Sequence, residues 1–167
     1  MNGLIRDGIT TNELRRLISY NKTTGIFTRR ITTSRRAKAG AVVGKPCKGR
    51  YLEFRINRIT YKSHRLAWLY VYGRWPKGEI DHINGDCHDN RISNLRDVPH
   101  QWNQQNFRKA MRHSVSGILG VSRENRKFRA RIFVNGKEVR LGLFRSKKEA
   151  HLAYVEGKRR LHKGCTI

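Results

Sequence analysis

The sequence predicts a mixed α+β chain made of two small modules, and three segments carry this prediction. Residues 51–72 have the pattern of a β-hairpin around Asn57-Arg58, followed by an apolar helix. Residues 78–110 predict a strand, a turn, a second extended segment and a helix. Residues 117–164 alternate as three strands and end in an amphipathic helix. We therefore expect a small ββα core with a preceding hairpin and helix, followed by a three-stranded antiparallel sheet with one helix.

The region before the hairpin has weaker signals. Residues 11–20 (TNELRRLISY) predict a short helix that Thr11 or Asn12 would cap. Residues 28–50 are rich in Arg, Lys, Gly, Ser and Thr, and they predict an irregular basic loop that could lie along a nucleic-acid backbone. The apolar face of the predicted helix comprises Leu14, Leu17 and Ile18.

The segment 78–110 contains alternating strand and turn signals. Ile80 to Ile83 predicts a strand, Asn84-Gly85-Asp86 a turn, and Ile92 to Val98 a second extended piece. Pro99 is suited to open a helix that runs toward Lys109. This order predicts a two-stranded element closed by a helix.

The C-terminal part has the clearest local signals. Asn135-Gly136 favours a tight hairpin turn, and Ser146 with Glu149 forms a capping box at the start of the last helix. The strands are expected at 120–122, 127–135 and 137–144. The predicted organisation is a basic N-terminal segment at 1–50, a central domain at 51–110, a linker at 111–116 and a C-terminal domain at 117–167.

The charge of the chain indicates its partner. The net charge is +25 in 167 residues, and self-repulsion of this size opposes folding unless a polyanion relieves it. The basic residues lie mainly on both sides of the near-neutral stretch 79–111, where the acids and several histidines cluster. Nucleic acid is the favoured partner, and the alternatives are a ribosome-type structural RNA-binding protein or a membrane-surface binder. The sequence has no long apolar stretch and no long basic amphipathic helix, so a membrane partner is not favoured.

The cysteines predict a reducing environment. Cys47, Cys87 and Cys165 lie far apart and form no CxxC pair, so neither a disulfide framework nor a structural zinc site is expected. The N-terminus does not have the pattern of a secretion signal. We expect a cytoplasmic protein that is not secreted.

Asp81 and His82 are the first candidates for chemistry. A metal-dependent phosphodiesterase needs a hard oxygen ligand for its cation and a base for water. Asp81 suits the first role and His82 the second, although neighbours in a strand point to opposite faces unless the backbone bends. The amide oxygen of Asn103 on the following helix is the expected second ligand. Asn106, one turn further along the same face, is the alternative.

These residues resemble the HNH (ββα-metal) nucleases, and specifically the homing endonucleases of phages. The resemblance rests on Asp81-His82, Asn94 and Asn103 at the family's spacing, and on the surrounding HRLAW, WPKGEIDHINGD and DNRISNLR. It covers roughly residues 51–110 and implies a host-cell cytoplasmic enzyme that hydrolyses double-stranded DNA to 5′-phosphate and 3′-hydroxyl ends.

The resemblance also implies a role for each matching residue. His82 would be the general base, and Asp81 with Asn103 would bind one divalent cation. Asn94 would hold the loop and helix in register and help to orient His82. Because Asn103 stands where many relatives have histidine, Mg²⁺ or Mn²⁺ fits better than zinc. Arg65 would reach a phosphate, whereas His88 and His100 are expected to be non-catalytic.

The C-terminal domain resembles the AP2/ERF DNA-binding domain in the order of GILGVS, KFRARI, EVRLGLF and AHLAY. In that family the three-stranded sheet lies in the major groove. Ser122, Arg131 and Arg140 replace the family's residues at groove-facing positions, so its base preference is not carried over. The expected DNA contacts of this domain are Arg123, Arg126, Lys127, Arg129, Arg131, Phe133 and Arg140, with Glu138 on the same face.

Two functions follow as competing hypotheses. The first is an HNH endonuclease, expected as a monomer, whose C-terminal domain supplies affinity. The second is a non-catalytic, transcription-factor-like protein that uses only the AP2-like domain. A degenerate nuclease would be expected to lack Asp81, His82 or Asn103, and all three are present.

Overall fold

The computed structural model of the chain describes residues 8–46, 50–110 and 112–167. The chain divides into two compact units, one ending at Val98 and the other running from Pro99 to Ile167. These bounds differ from the predicted ones, because the N-terminal segment shares a core with the central strands and the helix after Pro99 groups with the C-terminal unit. Cys47 and position 111 of the predicted linker lie outside the described residues.

The N-terminal unit is built from short elements. Its strands form an antiparallel sheet β1-β2-β3, a second sheet β4-β5-β6 and the two-stranded pair β7-β8. A 3₁₀ turn at Ile92–Asn94 precedes β8. The elements are α1 (Thr11–Leu17), β1 (Ile18–Tyr20), β2 (Phe27–Arg29), β3 (Val42–Val43), β4 (Lys45–Pro46), β5 (Leu52–Ile56), β6 (Ile59–Lys62), α2 (Ser63–Tyr72), β7 (Glu79–His82) and β8 (Leu95–Val98).

Helix α1 begins and ends earlier than the sequence predicted. Its cap is Thr10, whose Oγ1 accepts a hydrogen bond from the Glu13 backbone N–H at 3.2 Å. The predicted helix to residue 20 is wrong because Ile18–Tyr20 pairs with Phe27–Arg29 as a strand. The predicted irregular loop at 28–50 also contains β3 and β4, so it is only partly irregular.

The hairpin and helix predicted at 51–72 are confirmed. Strands β5 and β6 pair around Asn57 and Arg58, whose φ angles of 48° and 66° give the left-handed turn that twists with the strands. Helix α2 ends at Gly73 with φ of 70°, a conformation that favours glycine.

One hydrophobic core joins the N-terminal segment to the central strands. Leu14, Ile18, Phe27 and Leu66 are almost fully buried in it, together with Ile80 and Leu95 from the two strands β7 and β8. The turn after β1 also packs on the loop between β7 and β8. A Cβ atom on Gly25 would lie 2.6 Å from the backbone of Asn90 and Arg91, so only glycine fits this contact. The turn that contains Gly25 therefore supports the loop that follows β7.

The C-terminal unit begins with a short helix and continues as a sheet with one helix. The predicted helix toward Lys109 stops at Gln105, and the remaining residues are extended or turn. Strands β9–β11 form an antiparallel sheet with β10 in the centre, as predicted. The elements are α3 (His100–Gln105), β9 (Val121–Glu124), β10 (Lys127–Val134), β11 (Lys137–Phe144) and α4 (Lys147–Leu161).

The tight turn and the helix cap predicted in this unit are confirmed. Asn135 and Gly136 have φ angles of 51° and 78°, as the tight turn requires. Ser146 caps α4 by accepting a hydrogen bond from the Glu149 backbone at 3.2 Å. The core is formed by Val121, Ala130, Ile132, Ala150 and Tyr154, with Val134, Val139, Leu141 and Ala153 packed against it. In the part of the chain that the structure describes, no helix has the length and apolar character needed to cross a membrane.

Candidate active site and nucleic-acid interface

Strands β7 and β8 present Asp81 and His82 inside the N-terminal unit. Asp81 lies opposite Arg96 in the antiparallel register, and His82 lies opposite Leu95. Both side chains are buried, with 5% exposure for Asp81 and 3% for His82. Burial of two neighbouring titratable residues in a short strand requires a polar partner for each of them.

The imidazole of His82 is held by Asn90. Nε2 of His82 lies 3.1 Å from the Asn90 Oδ1, and Asn90 is only 1% exposed. With the amide in this orientation, Nε2 donates the hydrogen bond and Nδ1 carries the lone pair. Burial lowers the pKa of His82 below its ordinary value, partly offset by the hydrogen bond to Asn90 and by Asp81, Asp86 and Asp89. The ring is therefore neutral at neutral pH, as a general base must be.

Two further rings enclose His82. The His64 ring at the start of α2 lies edge-on to it, with centroids 5.2 Å apart, and the Tyr51 ring lies 6.0 Å away. Burial lowers the pKa of His64 to about 3, and the positive charges of Lys62 and Arg65 act in the same direction. Nδ1 of His64 is buried without a hydrogen-bond partner among the described residues. His64 is therefore a neutral wall of the pocket around His82.

The carboxylate of Asp81 forms a cross-strand ion pair with Arg96. Its Oδ2 accepts from Nε at 2.9 Å and lies 2.7 Å from Nη2. The Asp81 side chain is 6% exposed and that of Arg96 is 25% exposed, so solvent screens this pair weakly. The guanidinium compensates the buried negative charge in this structure.

Asn94 fixes the loop between β7 and β8. Its Oδ1 accepts from the Asn84 backbone at 2.9 Å, and its Nδ2 donates to Asn84 Oδ1 at 2.9 Å and to the Asp89 carbonyl at 2.8 Å. Asn90, which holds His82, directly follows Asp89. The contacts of Asn94 therefore fix the loop from which Asn90 reaches the imidazole.

The two asparagines proposed as second ligand lie on or next to α3, in the C-terminal unit. The hydroxyl of Thr166 donates to Asn106 Oδ1, and Asn106 is 6% exposed. Asn103 is half-buried within α3. The amide oxygen of Asn106 already accepts a hydrogen bond from the C-terminal segment.

The donor chemistry fits a hard divalent cation. Among the described residues, no three His, Cys, Asp or Glu side chains are grouped so that they could hold a metal ion. Asp81 would offer a cation one carboxylate as its ligand from the N-terminal unit. Mg²⁺ is commonly bound in this way, with few protein ligands and several waters.

The outer face of the C-terminal sheet carries the predicted arginines, but glutamates partly neutralise them. Glu138 lies 2.7 Å from Arg131, and Glu124 lies 3.1 Å from Arg140. Arg129 contacts Glu124 at 3.3 Å. Phe133 is 55% exposed on the same face. Arg123, Arg126 and Lys127 are exposed around the first turn of this sheet.

Three further residues named in the sequence analysis are Arg65, His88 and His100. The guanidinium of Arg65 lies over the Trp75 ring, 5.8 Å from its centroid, and Nη1 is 3.5 Å from the Gly78 carbonyl. His88 and His100 are exposed.

Three neighbours of Asp81 and His82 were not identified as such from the sequence, namely Arg96, Asn90 and His64. Arg96 was detectable, because pairing the two strands in register places it opposite Asp81. Asn90 and His64 gave no such signal. Their positions depend on the loop conformation and on the packing of α2, which are not local features of the sequence.

Comparison with known proteins identifies the same region. Residues 61–105 match the protein-family model described as HNH endonuclease. The match includes the end of β6, α2, β7, the loop with Asn90 and Asn94, β8 and α3, and it covers well under half of the chain. Searches of curated proteins and of solved structures found no match to this chain.

Proposed function

We propose that the chain is a metal-dependent DNA endonuclease of the HNH type, with His82 as its general base. The observation that carries the proposal is the buried His82, neutral and held by Asn90 beside Asp81, within a segment that matches the HNH endonuclease model. A neutral imidazole with one nitrogen fixed by a hydrogen bond is the form that accepts a proton from water.

The residues of the N-terminal unit have separate roles in the proton transfer. Nδ1 of His82 takes the proton of the attacking water, while Asn90 keeps the ring in place through Nε2. The carboxylates of Asp81, Asp86 and Asp89 raise the pKa of His82, so they stabilise the imidazolium that forms. Asn94 preserves the loop that carries Asn90. The products are a 5′-phosphate and a 3′-hydroxyl.

Asp81 and Asn103 are proposed to hold one Mg²⁺ or Mn²⁺ ion. Such a cation supplies Lewis-acid stabilisation of the charge on the phosphate and on the leaving 3′-oxygen. In this structure the guanidinium of Arg96 forms an ion pair with the carboxylate of Asp81. It therefore balances the negative charge that a bound cation would balance. The hard oxygen donors favour Mg²⁺ or Mn²⁺ over zinc.

The C-terminal unit is proposed to bind duplex DNA through its sheet, in the manner of the AP2/ERF domains that it resembles. Arg129, Arg131, Arg140 and the exposed Phe133 on one sheet face support this role, as do the exposed basic residues Arg123, Arg126 and Lys127. A monomer has one such catalytic pair and is expected to nick one strand. The similarity to phage homing endonucleases extends the proposal to a homing-type enzyme in the host cytoplasm.

A non-catalytic DNA-binding protein is the second candidate. It is favoured by the ion pair of Asp81 with Arg96, since an arginine that permanently occupied the carboxylate would exclude a cation. The two candidates differ in one observable property, because only the enzyme breaks phosphodiester bonds.

Incubation of the full chain with supercoiled plasmid tests the proposal. We expect open-circular plasmid in the presence of Mg²⁺ and none when EDTA replaces the metal. Ligation of the nicks without prior phosphatase or kinase treatment is expected, since it requires a 5′-phosphate and a 3′-hydroxyl. Intact plasmid with Mg²⁺ and with Mn²⁺, together with a normal shift of the DNA in a binding gel, would select the non-catalytic candidate.

A further inference from the structure

We propose that a cavity lined by Arg29, Arg55 and Arg58 in the N-terminal unit binds a phosphate of the DNA backbone. The inference depends on the proposed function in one respect, namely that the ligand is DNA. It adds a phosphate contact that belongs to the same unit as His82 and is separate from those proposed for the C-terminal sheet.

The cavity has an apolar floor and a cationic rim. Its volume is about 330 Å³, and its apolar lining comes from Leu17, Ile18 and Ile56, all of which are buried. The same cavity is lined by the three arginines and by Thr33 and Asn57, which are able to donate hydrogen bonds. A charge beside an apolar floor is less screened than on an open surface, so an anion is attracted more strongly.

The three arginines are not neutralised. None of them has a carboxylate within ion-pair distance among the described residues, in contrast to Arg129, Arg131 and Arg140 on the C-terminal sheet. One acid is near the rim: Glu13 Oε1 accepts a hydrogen bond from Asn57 Nδ2 at 2.6 Å. Three positive charges without a partner at one concave site indicate an anionic ligand.

A backbone carbonyl holds the guanidinium of Arg55, and strand pairing fixes the backbone of Arg29, before any ligand binds. Arg55 Nε donates to the Arg58 carbonyl at 2.9 Å, which ties the two ends of the β5-β6 turn together. Arg29 lies in β2, where its backbone N–H donates to the Ala41 carbonyl at 2.9 Å. Guanidinium groups bind phosphate through two parallel hydrogen bonds, so this arrangement favours a phosphate over a monodentate anion.

The test compares two triple variants of the full chain that lose the same charge. The pocket variant is R29Q/R55Q/R58Q, and the control is R16Q/R74Q/R160Q, which changes exposed arginines outside the cavity. Equilibrium binding of duplex DNA is measured in EDTA over a range of NaCl concentrations, and circular dichroism verifies that both variants are folded. Loss of one phosphate contact is expected to lower the slope of log K against log salt by about 0.9.

We expect the salt slope to fall by about 0.9 in the pocket variant and by less than half of that in the control. Inorganic phosphate, added at constant ionic strength, should raise the melting temperature of the parent and the control, but not of the pocket variant. Equal slopes for the two variants, or equal stabilisation of all three proteins by phosphate, would overturn the proposal.

The same proteins separate this inference from the proposed nuclease activity. A parent that never cuts plasmid but shows the difference between the variants contradicts the nuclease and leaves the phosphate site intact. A parent that cuts DNA in Mg²⁺ but shows no difference contradicts the phosphate site alone.

Discussion

At the scale of single residues, His82 depends on its neighbours for both position and protonation. Asn90 holds Nε2, and the rings of His64 and Tyr51 pack beside the His82 ring, with centroids 5.2 Å and 6.0 Å away. The carboxylates around it then oppose part of the effect of burial. Burial keeps this imidazole neutral, and one amide fixes its orientation. Both properties make it better suited to act as a general base than an exposed imidazole.

Replacing Asn90 by alanine tests the positioning of His82. We expect N90A to lower the single-turnover rate of DNA cutting at saturating protein by at least about tenfold, because the base loses its fixed orientation. The dissociation constant for DNA should remain unchanged. The exposed Asn12 provides the control, N12A, which should retain the parental rate. A parental rate in a folded N90A protein would show that the contact is not required.

The burial of His64 predicts a pH-dependent stability. In the unfolded chain His64 binds a proton below a pH of about 6.5, whereas its pKa in the folded protein is about 3. Folding stability therefore decreases as the pH falls through this window, by about 2 kcal/mol between pH 7 and pH 5 for this group.

Urea unfolding at these two pH values measures the effect. The variant H64F should lose roughly this part of the pH dependence, whereas H88Q, at an exposed histidine, should keep the parental dependence. The same difference between pH 7 and pH 5 in the parent and in H64F would contradict the buried, neutral state of His64.

At the scale of elements, the sequence predicted the features that depend on adjacent residues and missed a strand that depends on pairing. The hairpin of β5 and β6, the end of α2 at Gly73 and the capping box of α4 were predicted because each depends on a few adjacent residues. Strand β1 was predicted as the end of a helix, because its conformation depends on pairing with β2.

The same distinction applies within the site. Asp81, His82, Asn94 and Asn103 were selected by their spacing along the chain. Asn90 was not selected as the partner of His82, since its side chain reaches the imidazole only after Asn94 has fixed the loop. Residues that act through a folded loop leave no periodic pattern for a sequence-based prediction.

The ion pair across β7 and β8 provides a test of metal binding that does not use activity. Removing the guanidinium in R96Q leaves a buried carboxylate without its arginine, and we expect a loss of about 3 kcal/mol of stability. Mg²⁺ should then raise the melting temperature of R96Q more than that of the parent.

The exposed pair of Arg91 with Asp89 supplies the control for this test. Because the Arg91 side chain is 49% exposed, solvent screens its pair with Asp89, so R91Q should lose less stability than R96Q, and Mg²⁺ should affect it as it affects the parent. Equal effects of Mg²⁺ on R96Q and R91Q would exclude Asp81 as a cation ligand.

Helix α3 depends on the C-terminal segment of its own unit. Gly164 donates its backbone N–H to Gln105 Oε1 at 2.8 Å, and a Cβ at this position would lie 2.1 Å from the Trp102 carbonyl oxygen. G164A should therefore displace α3 and increase hydrogen exchange at residues 100–106. K163A, at an exposed neighbour, should leave this exchange unchanged. Parental exchange in G164A would show that the segment does not support the helix.

At the scale of the whole molecule, the net charge of +25 is unevenly compensated. Glutamates pair with the arginines on the C-terminal sheet, whereas the arginine-lined cavity of the N-terminal unit has no ion-pair partner among the described residues. In the proposed function, the positive charges attract DNA without reading its sequence, and the buried pair of Asp81 and His82 is expected to supply the chemistry. Both units are therefore expected to contribute to affinity, and the N-terminal unit to catalysis.

The most direct test of this account is the single-turnover rate of DNA cutting by H82A, measured with Mg²⁺ at saturating protein. The account predicts a loss of at least about a hundredfold with nearly unchanged DNA affinity, because the general base is removed while the phosphate contacts remain. The variant H88A, at an exposed histidine of the same loop, should cut at the parental rate. Cutting by H82A at the rate of the parent would contradict the assignment of His82 as the base.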